Sequence, residues 1–91
     1  MNRLELINQV RFKTGKSKKD IEEILTASID TISEELDKGN KVSLAGFGAF
    51  EVFHRTARSG RNPKTGEPIM ISEGKIPKFR ASKRLRRQLN Q

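Results

Sequence analysis

Arginine recurs at intervals of three in a stretch of this chain that has almost nothing apolar to bury. Arg55, Arg58 and Arg61 follow Phe53 in the segment FHRTARSGRNPKTG. Arginine carries a planar, permanently charged fork of N–H donors that matches phosphate groups. These residue types and this spacing indicate anion binding, on a segment that must project from the rest of the protein.

The basic segment ends in a turn with a proline near its centre. Pro63 follows an asparagine and lies between Gly60 and Gly66, a composition that favours chain reversal. A ribbon is therefore predicted to run out from His54, reverse near Pro63 and return over residues 67–78. Pro63 has two interpretations: an ordinary turn former, or a rigid apolar ring without an N–H that can enter a base step at little conformational cost. The surrounding arginines favour the second interpretation.

The residue types of this chain do not indicate catalysis or metal binding. The chain has no cysteine and a single histidine, His54. No nucleophile–base pair, glycine-rich phosphate loop or set of metal ligands can be identified. The sequence predicts a binding protein that is not an enzyme and that uses no metal, no cofactor and no small-molecule substrate.

The charge of the chain is segregated along its length. The formal net charge is +8 and the pI is about 10.3. Residues 1–53 carry 8 Lys/Arg against 9 Asp/Glu, whereas residues 54–91 carry 11 against 2. A polyanion bound by the second half of the chain is the expected partner. RNA readers usually expose aromatic residues for stacking, and the five aromatic residues here are all Phe, which favours duplex DNA over RNA.

Two amphipathic helices are predicted ahead of the basic segment. Asn2 is placed to cap the first helix and Gly15 to end it. Ser17 caps the second helix, whose apolar positions continue to Leu36 before Gly39 closes it. The short connection predicts a helical hairpin, and the apolar stripe of the second helix is wider than one short partner helix would cover.

A three-stranded antiparallel sheet and a short helix complete the predicted α+β fold. Residues 41–44 alternate polar and apolar, and strands over 49–58 and 67–80 form the ribbon. Ser82 is placed to cap a third helix over 83–89. The sequence contains no internal repeat and no low-complexity tract.

Phenylalanine and glycine alternate where the first two strands meet. Gly46 and Gly48 flank Phe47, which suggests a tight connection whose backbone angles only glycine tolerates. Phe50 and Phe79 continue an inward-facing pattern. These rings are predicted to pack in the core or a dimer interface and not to stack on bases.

The size of the chain predicts help from a second copy. Ninety-one residues, about a third of them hydrophobic, form one small domain with a thin core. Without cysteine there is no disulfide to stabilise it, so oligomerisation is the expected remedy.

The domain is divided into a helical dimerisation part (1–40), a sheet with its arm (41–81, arm about 54–76) and a C-terminal helix (82–91). With no signal peptide or membrane span in view, a soluble intracellular protein is expected.

The order of these motifs along the whole chain resembles a known family. The pattern GF-x-x-F, then arginines at 55 and 58, then GRNPKT and IPKF, follows a helical hairpin and precedes a capped C-terminal helix. It is similar to the HU / integration host factor family of histone-like, DNA-bending proteins. The resemblance implies an intertwined dimer with one long β-arm per subunit that wraps the DNA minor groove, and an arm-tip proline, here Pro63, wedged between base pairs.

The resemblance and the charge pattern together define the predicted site. The DNA-binding residues are predicted to be Arg3, Arg55, Arg58, Arg61, Asn62, Pro63, Lys64, Lys75, Lys78, Arg80, Lys83, Arg84, Arg86 and Arg87. Lys83 and Arg86 match positions where family members contact phosphate, whereas Arg84 and Arg87 make the tail unusually basic. The dimer core is predicted to comprise Ile32, Leu36, Leu44, Phe47, Phe50 and Phe79.

The predicted function is an architectural, largely sequence-nonspecific protein that wraps, bends and compacts duplex DNA in a bacterial cytoplasmic nucleoid. Two alternatives stay open: a site-preferring bender like integration host factor, and a small basic RNA-binding protein. The sequence also leaves open homodimer against heterodimer, a preference for nicked, gapped or bent DNA, the bend angle and site size, and a plastid or viral source.

Overall fold

The computed structural model describes residues 1–91, apart from the side chain of Ile71. The elements are α1 (Arg3–Thr14), α2 (Lys18–Asp37), β1 (Val42–Leu44), β2 (Gly48–Arg55), β3 (Arg58–Arg61), β4 (Pro68–Ile71), β5 (Gly74–Ala81) and α3 (Lys83–Leu89). The predicted α+β class and the order of its elements are confirmed. The chain divides into two compact units, Met1–Glu34 and Glu35–Gln91. The division into functional parts within one domain stays a prediction.

Side chains and glycines end the first two helices as the sequence predicts. The Asn2 Oδ1 accepts a hydrogen bond of 2.9 Å from the Glu5 backbone N–H. Gly15 ends α1 in the left-handed conformation with φ 71°. At the start of α2, the Ser17 Oγ accepts a 3.2 Å bond from the Asp20 N–H. These bonds satisfy backbone groups that lack partners within the helix.

The unit Met1–Glu34 buries little of its apolar surface. Ile7 and Ile21 are 2% and 6% exposed. An open groove of about 490 Å³ lies beside them, lined mainly by apolar side chains of α1 and α2. Leu6 and Ile24 in this groove are 40% and 59% exposed. In the part of the chain that the structure describes, no helix is both long and apolar enough to cross a lipid bilayer.

The unit Glu35–Gln91 contains the predicted three-stranded antiparallel sheet, in the order β1-β2-β5. Strands β2 and β5 pair from Gly48↔Ala81 to Arg55↔Gly74. A second, two-stranded sheet, β3-β4, follows from Arg58 to Ile71 and forms the outer part of the ribbon. From here on, the arm means residues 58–71, the outer part of the predicted arm, and its base means the neighbouring ends of β2 and β5.

The predicted strands of the ribbon are not continuous, which corrects the expectation of one strand to about residue 58 and one return strand from 67. The ladder is interrupted at residues 56–57 and 72–73. At this point the Arg55 Nε donates a 3.0 Å hydrogen bond to the Ser72 carbonyl. The Arg55 side chain thus binds a backbone carbonyl that has no partner in the strand pairing. Strand propensity alone does not predict this contact.

The two glycines around Phe47 are required for different reasons. Gly46 has φ 80°, as predicted for a tight connection. Gly48 has no positive φ, and the prediction that its backbone angles demand glycine is wrong. A Cβ at Gly48 would lie 2.5 Å from the Arg80 carbonyl oxygen and 2.6 Å from the Phe79 Cζ, so the position excludes any side chain.

Helix α3 is joined to the β1–β2 connection through its capping residue. The Ser82 Oγ accepts a 3.0 Å bond from the Leu85 N–H and donates a 2.9 Å bond to the Gly46 carbonyl. The Ser82 N–H also donates to the Phe47 carbonyl at 2.9 Å. One residue therefore begins the helix and fixes that beginning to the sheet.

Candidate nucleic-acid interface

The tip of the arm is a hydrogen-bonded loop that presents Pro63 to solvent. The Asn62 N–H donates to the Glu67 carbonyl at 2.8 Å, and the Gly66 N–H donates to the Asn62 carbonyl at 2.7 Å. The Asn62 Oδ1 accepts a further 2.9 Å bond from the Lys64 N–H. Asn62, predicted to bind DNA, therefore also shapes the loop, and Pro63 is exposed on a turn with little freedom to change shape.

The arginines of the arm lie on both of its faces. Arg58 pairs with Ile71, and Arg61 pairs with Pro68. Arg58 and Arg61 are three positions apart on β3. Successive residues of a strand point to opposite faces, so Arg58 and Arg61 lie on opposite faces of the arm. Both are exposed. A ribbon with cations on both sides suits a groove that is walled by phosphates on both sides.

Arg55 occupies the base of the arm and, like Arg61, donates a hydrogen bond to a backbone carbonyl. Its Nε bonds the Ser72 carbonyl. Its guanidinium crosses Gly74, where a Cβ would lie 3.3 Å from the Arg55 Nη2. His54 pairs with Lys75 at the same level, which places the single histidine at the base of the arm, as expected. Arg55 thus has a structural role beside its predicted role in DNA binding.

One face of the sheet combines cations with a single carboxylate. Glu51, with its side chain 14% exposed, makes ion pairs of 3.1 Å to Arg80 and 3.6 Å to Lys41. On the same face the Lys78 Nζ lies 4.8 Å from the centroid of the Phe53 ring. Lys78 and Arg80, both predicted to bind DNA, thus share this face. Sequence analysis did not identify Glu51 or Lys41 because their pairing depends on strand register.

The other face of the sheet is aromatic. The Phe79 ring lies 5.2 Å from that of Phe47 and 5.1 Å from that of Phe50, between centroids. Phe47 and Phe79 remain 48% and 43% exposed. Lys75 shares the β5 face of Phe79, since the two are four residues apart, so it lies opposite to Lys78 and Arg80. Lys75 therefore does not join their cluster.

Helix α3 gathers the basic residues of the tail. Lys83, Arg86 and Arg87 border an open groove with Asn90. Arg84 lines a second open groove with Lys83 and Arg87, and its Nη1 lies 3.4 Å from the position of a Cβ on Gly46. Arg84, predicted to bind DNA, thus also approaches the β1–β2 connection.

The remaining predicted residues are Arg3 and part of the predicted dimer core. Arg3 belongs to the unit Met1–Glu34, where its guanidinium donates to the Thr26 hydroxyl. Of the predicted dimer core, Leu44 is exposed, and Ile32 and Leu36 are half-buried. Their roles stay predictions.

Comparisons with known proteins agree with this geometry. Residues 1–90 match the model of a family described as bacterial DNA-binding protein. The chain is 51% identical over 86 residues to DNA-binding protein HU-1 of Halalkalibacterium halodurans, covering 94% of this chain and 96% of that protein. It is 47% identical over 89 residues to DNA-binding protein HU of Thermotoga maritima, covering 98% and 99%. A cocrystal structure of Anabaena HU with DNA matches with a TM-score of 0.89 and 44% identity, covering 98% of this chain and 97% of that chain.

Proposed function

This chain belongs to the bacterial DNA-binding protein family, and we propose that it is an architectural protein that binds duplex DNA largely without sequence preference and bends it. The resemblance to HU drawn from the sequence is confirmed by this match and by relatives that bear that name. The proposal concerns binding and not catalysis. The setting that it implies is the nucleoid in the bacterial cytoplasm.

The arm is the observation that carries the proposal. It is a two-stranded ribbon with exposed arginines on both faces and a proline at a hydrogen-bonded tip. An isolated hairpin of this kind gains little stability by itself, so its length and charge favour a role in binding. In the proposed mechanism the arm enters the minor groove, its arginines bind the phosphate walls, and Pro63 enters a base step.

The basic face of the sheet and helix α3 extend the proposed DNA path. Lys78 and Arg80 on the sheet, with Lys83 and Arg86 on α3, supply phosphate contacts without base recognition. Smooth bending of 20–30 base pairs costs on the order of 1–6 kcal/mol. Release of counterions by these cations and by those of the arm offsets that cost.

The proposed functional form is a dimer. Phe47 and Phe79 on the aromatic face, and Leu6 and Ile24 in the helical groove, are each 40% exposed or more. A small chain that leaves such groups in water gains stability when a second copy covers them. Two subunits would also bring two arms to one DNA segment.

The two alternatives are less well supported. The relatives described above are named HU, which does not favour the site-preferring integration-host-factor type. An RNA reader would keep aromatic rings free for stacking, whereas the exposed Phe47 and Phe79 contact each other and are covered in the proposed dimer.

A binding titration tests the proposal. The purified protein is titrated with matched intact duplex, nicked duplex and structured single-stranded RNA at two salt concentrations. We expect tighter binding to nicked than to intact duplex, because a flexible joint lowers the bending cost, and weaker binding to RNA than to either. Preference for the RNA would refute the proposal.

A further inference from the structure

Strand β4 of the arm is apolar although the arm has no core in which to bury it. Its sequence is Pro68-Ile69-Met70-Ile71. Ile69 is 43% exposed and Met70 is 72% exposed. Large apolar side chains that remain in water on a projecting ribbon indicate a surface that is covered in the bound state.

Met70 lies on the face of the arm that carries Arg61. Met70 pairs with Ser59, and Arg61, two residues after Ser59 on β3, pairs with Pro68. These four residues therefore share a face. In a groove-bound arm, Arg61 faces phosphate and the Met70 thioether faces the apolar edges of the sugars. A methionine makes such a contact readily because its side chain is flexible and polarisable.

We propose that Met70 is an oxidation-sensitive modification site through which a hydroperoxide weakens the hold of the arm on DNA. The inference rests on the proposed function, since it requires the arm to bind DNA. A sulfoxide is polar and chiral, and its transfer from water to an apolar contact is less favourable than that of a thioether. The modified arm therefore binds more weakly although the fold is unchanged.

The chemistry requires only the thioether and the peroxide. A lone pair on the Met70 Sδ attacks one oxygen of hydrogen peroxide, the S–O bond forms as the O–O bond breaks, and the leaving oxygen departs as water after it takes up the proton of the attacked oxygen. Sulfur loses two electrons and the peroxide gains them. The exposure of Met70 gives the oxidant direct access to the sulfur.

The composition of the chain makes the site easy to isolate. There is no cysteine, and Met1 is the one other methionine in the sequence. Met1 is 83% exposed, so it oxidises under the same conditions and serves as an internal comparison in the unit that lacks the arm. In a Met70→Leu variant, an apolar side chain of similar size remains and oxidation is restricted to Met1.

The experiment measures affinity for nicked duplex before and after treatment with dilute hydrogen peroxide. Wild-type protein and Met70→Leu are compared, with peptide mass spectrometry to report the sulfoxide at each methionine and circular dichroism to report folding. We expect roughly a tenfold loss of affinity for oxidised wild type, in which two arms lose an apolar contact, and no change for oxidised Met70→Leu. Treatment with the two methionine sulfoxide reductases, one for each sulfoxide epimer, and a dithiol that is oxidised to a disulfide as water forms, should restore wild-type affinity.

The outcomes separate the inference from the proposed function. Unchanged affinity of wild type with Met70 fully oxidised would overturn the inference while leaving DNA binding intact. An equal loss in Met70→Leu would assign the effect to Met1 and would also overturn it. Failure of the untreated wild type to bind duplex would instead refute the proposed function itself.

Discussion

At the scale of the residue, Pro63 is held by the loop that presents it. Asn62 accepts hydrogen bonds from the Lys64 and Gly66 N–H groups and donates one to the Glu67 carbonyl. These bonds fix the loop, so insertion of the Pro63 ring needs little further loss of conformational entropy. We expect Pro63→Ala to reduce bending by roughly half, measured by fluorescence transfer across a nicked duplex, while Kd rises less than about fivefold. Pro77→Ala makes the same chemical change at an exposed position of β5, outside the arm, and should retain wild-type bending. Equal bending by Pro63→Ala would remove the wedge from the mechanism.

Gly48 tests the packing of the sheet at the same scale. An added Cβ would clash with the Arg80 carbonyl oxygen at 2.5 Å and with the Phe79 ring. We expect Gly48→Ala to lower the free energy of unfolding by about 3 kcal/mol in urea titrations. Gly39→Ala is the control, because Gly39 has φ 85° and open space around it, and it should cost about 1 kcal/mol. Similar costs for both variants would contradict the steric explanation.

At the scale of the element, the arm works as a two-faced ribbon. The log of the binding constant falls with log salt by about 0.9 per phosphate neutralised. If each arm contributes one such contact from Arg58, then Arg58→Gln should reduce the slope by about 1.8 per dimer, and Arg61→Gln should do the same from the other face. Lys38, whose Nζ lies 3.9 Å from the Glu35 carboxylate at the end of α2, provides the matched control in Lys38→Gln. An unchanged slope for an arm variant would place that arginine off the DNA.

Helix α3 depends on a single joint. Ser82 caps the helix and also donates a hydrogen bond to the Gly46 carbonyl. We expect Ser82→Ala to lower the free energy of unfolding by about 1–2 kcal/mol. The variant should also bind DNA severalfold more weakly, because the basic residues of α3 lose their fixed position. Ser17→Ala removes a cap of α2 and should cost about 1 kcal/mol without loss of DNA affinity. Retained DNA affinity in Ser82→Ala would show that α3 needs no such joint.

At the scale of the whole molecule, stability should depend on assembly. In the described part of the chain the buried apolar residues are Ile7, Ile21 and Ala49, which is very little for 91 residues. We expect the mass in solution, measured by light scattering, to be that of a dimer, and Tm to rise with protein concentration because folding and association are coupled. A monomeric mass with a concentration-independent Tm would contradict this expectation.

Much of this organisation could be predicted from local sequence because it depends on local chemistry. The caps at Asn2, Ser17 and Ser82 and the turn around Pro63 are set by residues within three to five positions of each other. The segregation of charge is also visible without coordinates. The family followed from the order of motifs along the whole chain.

Other features were decided by tertiary structure because they join residues that are distant in sequence. Strand register placed Glu51 between Lys41 and Arg80. A close approach of β5, and not backbone angles, explained Gly48. The sequence by itself determined where the helices end, where the ribbon turns and which sign of charge it carries, since those are local properties. Only the folded chain decided which side chains of different strands meet, because the pairing of strands joins residues that are distant in sequence.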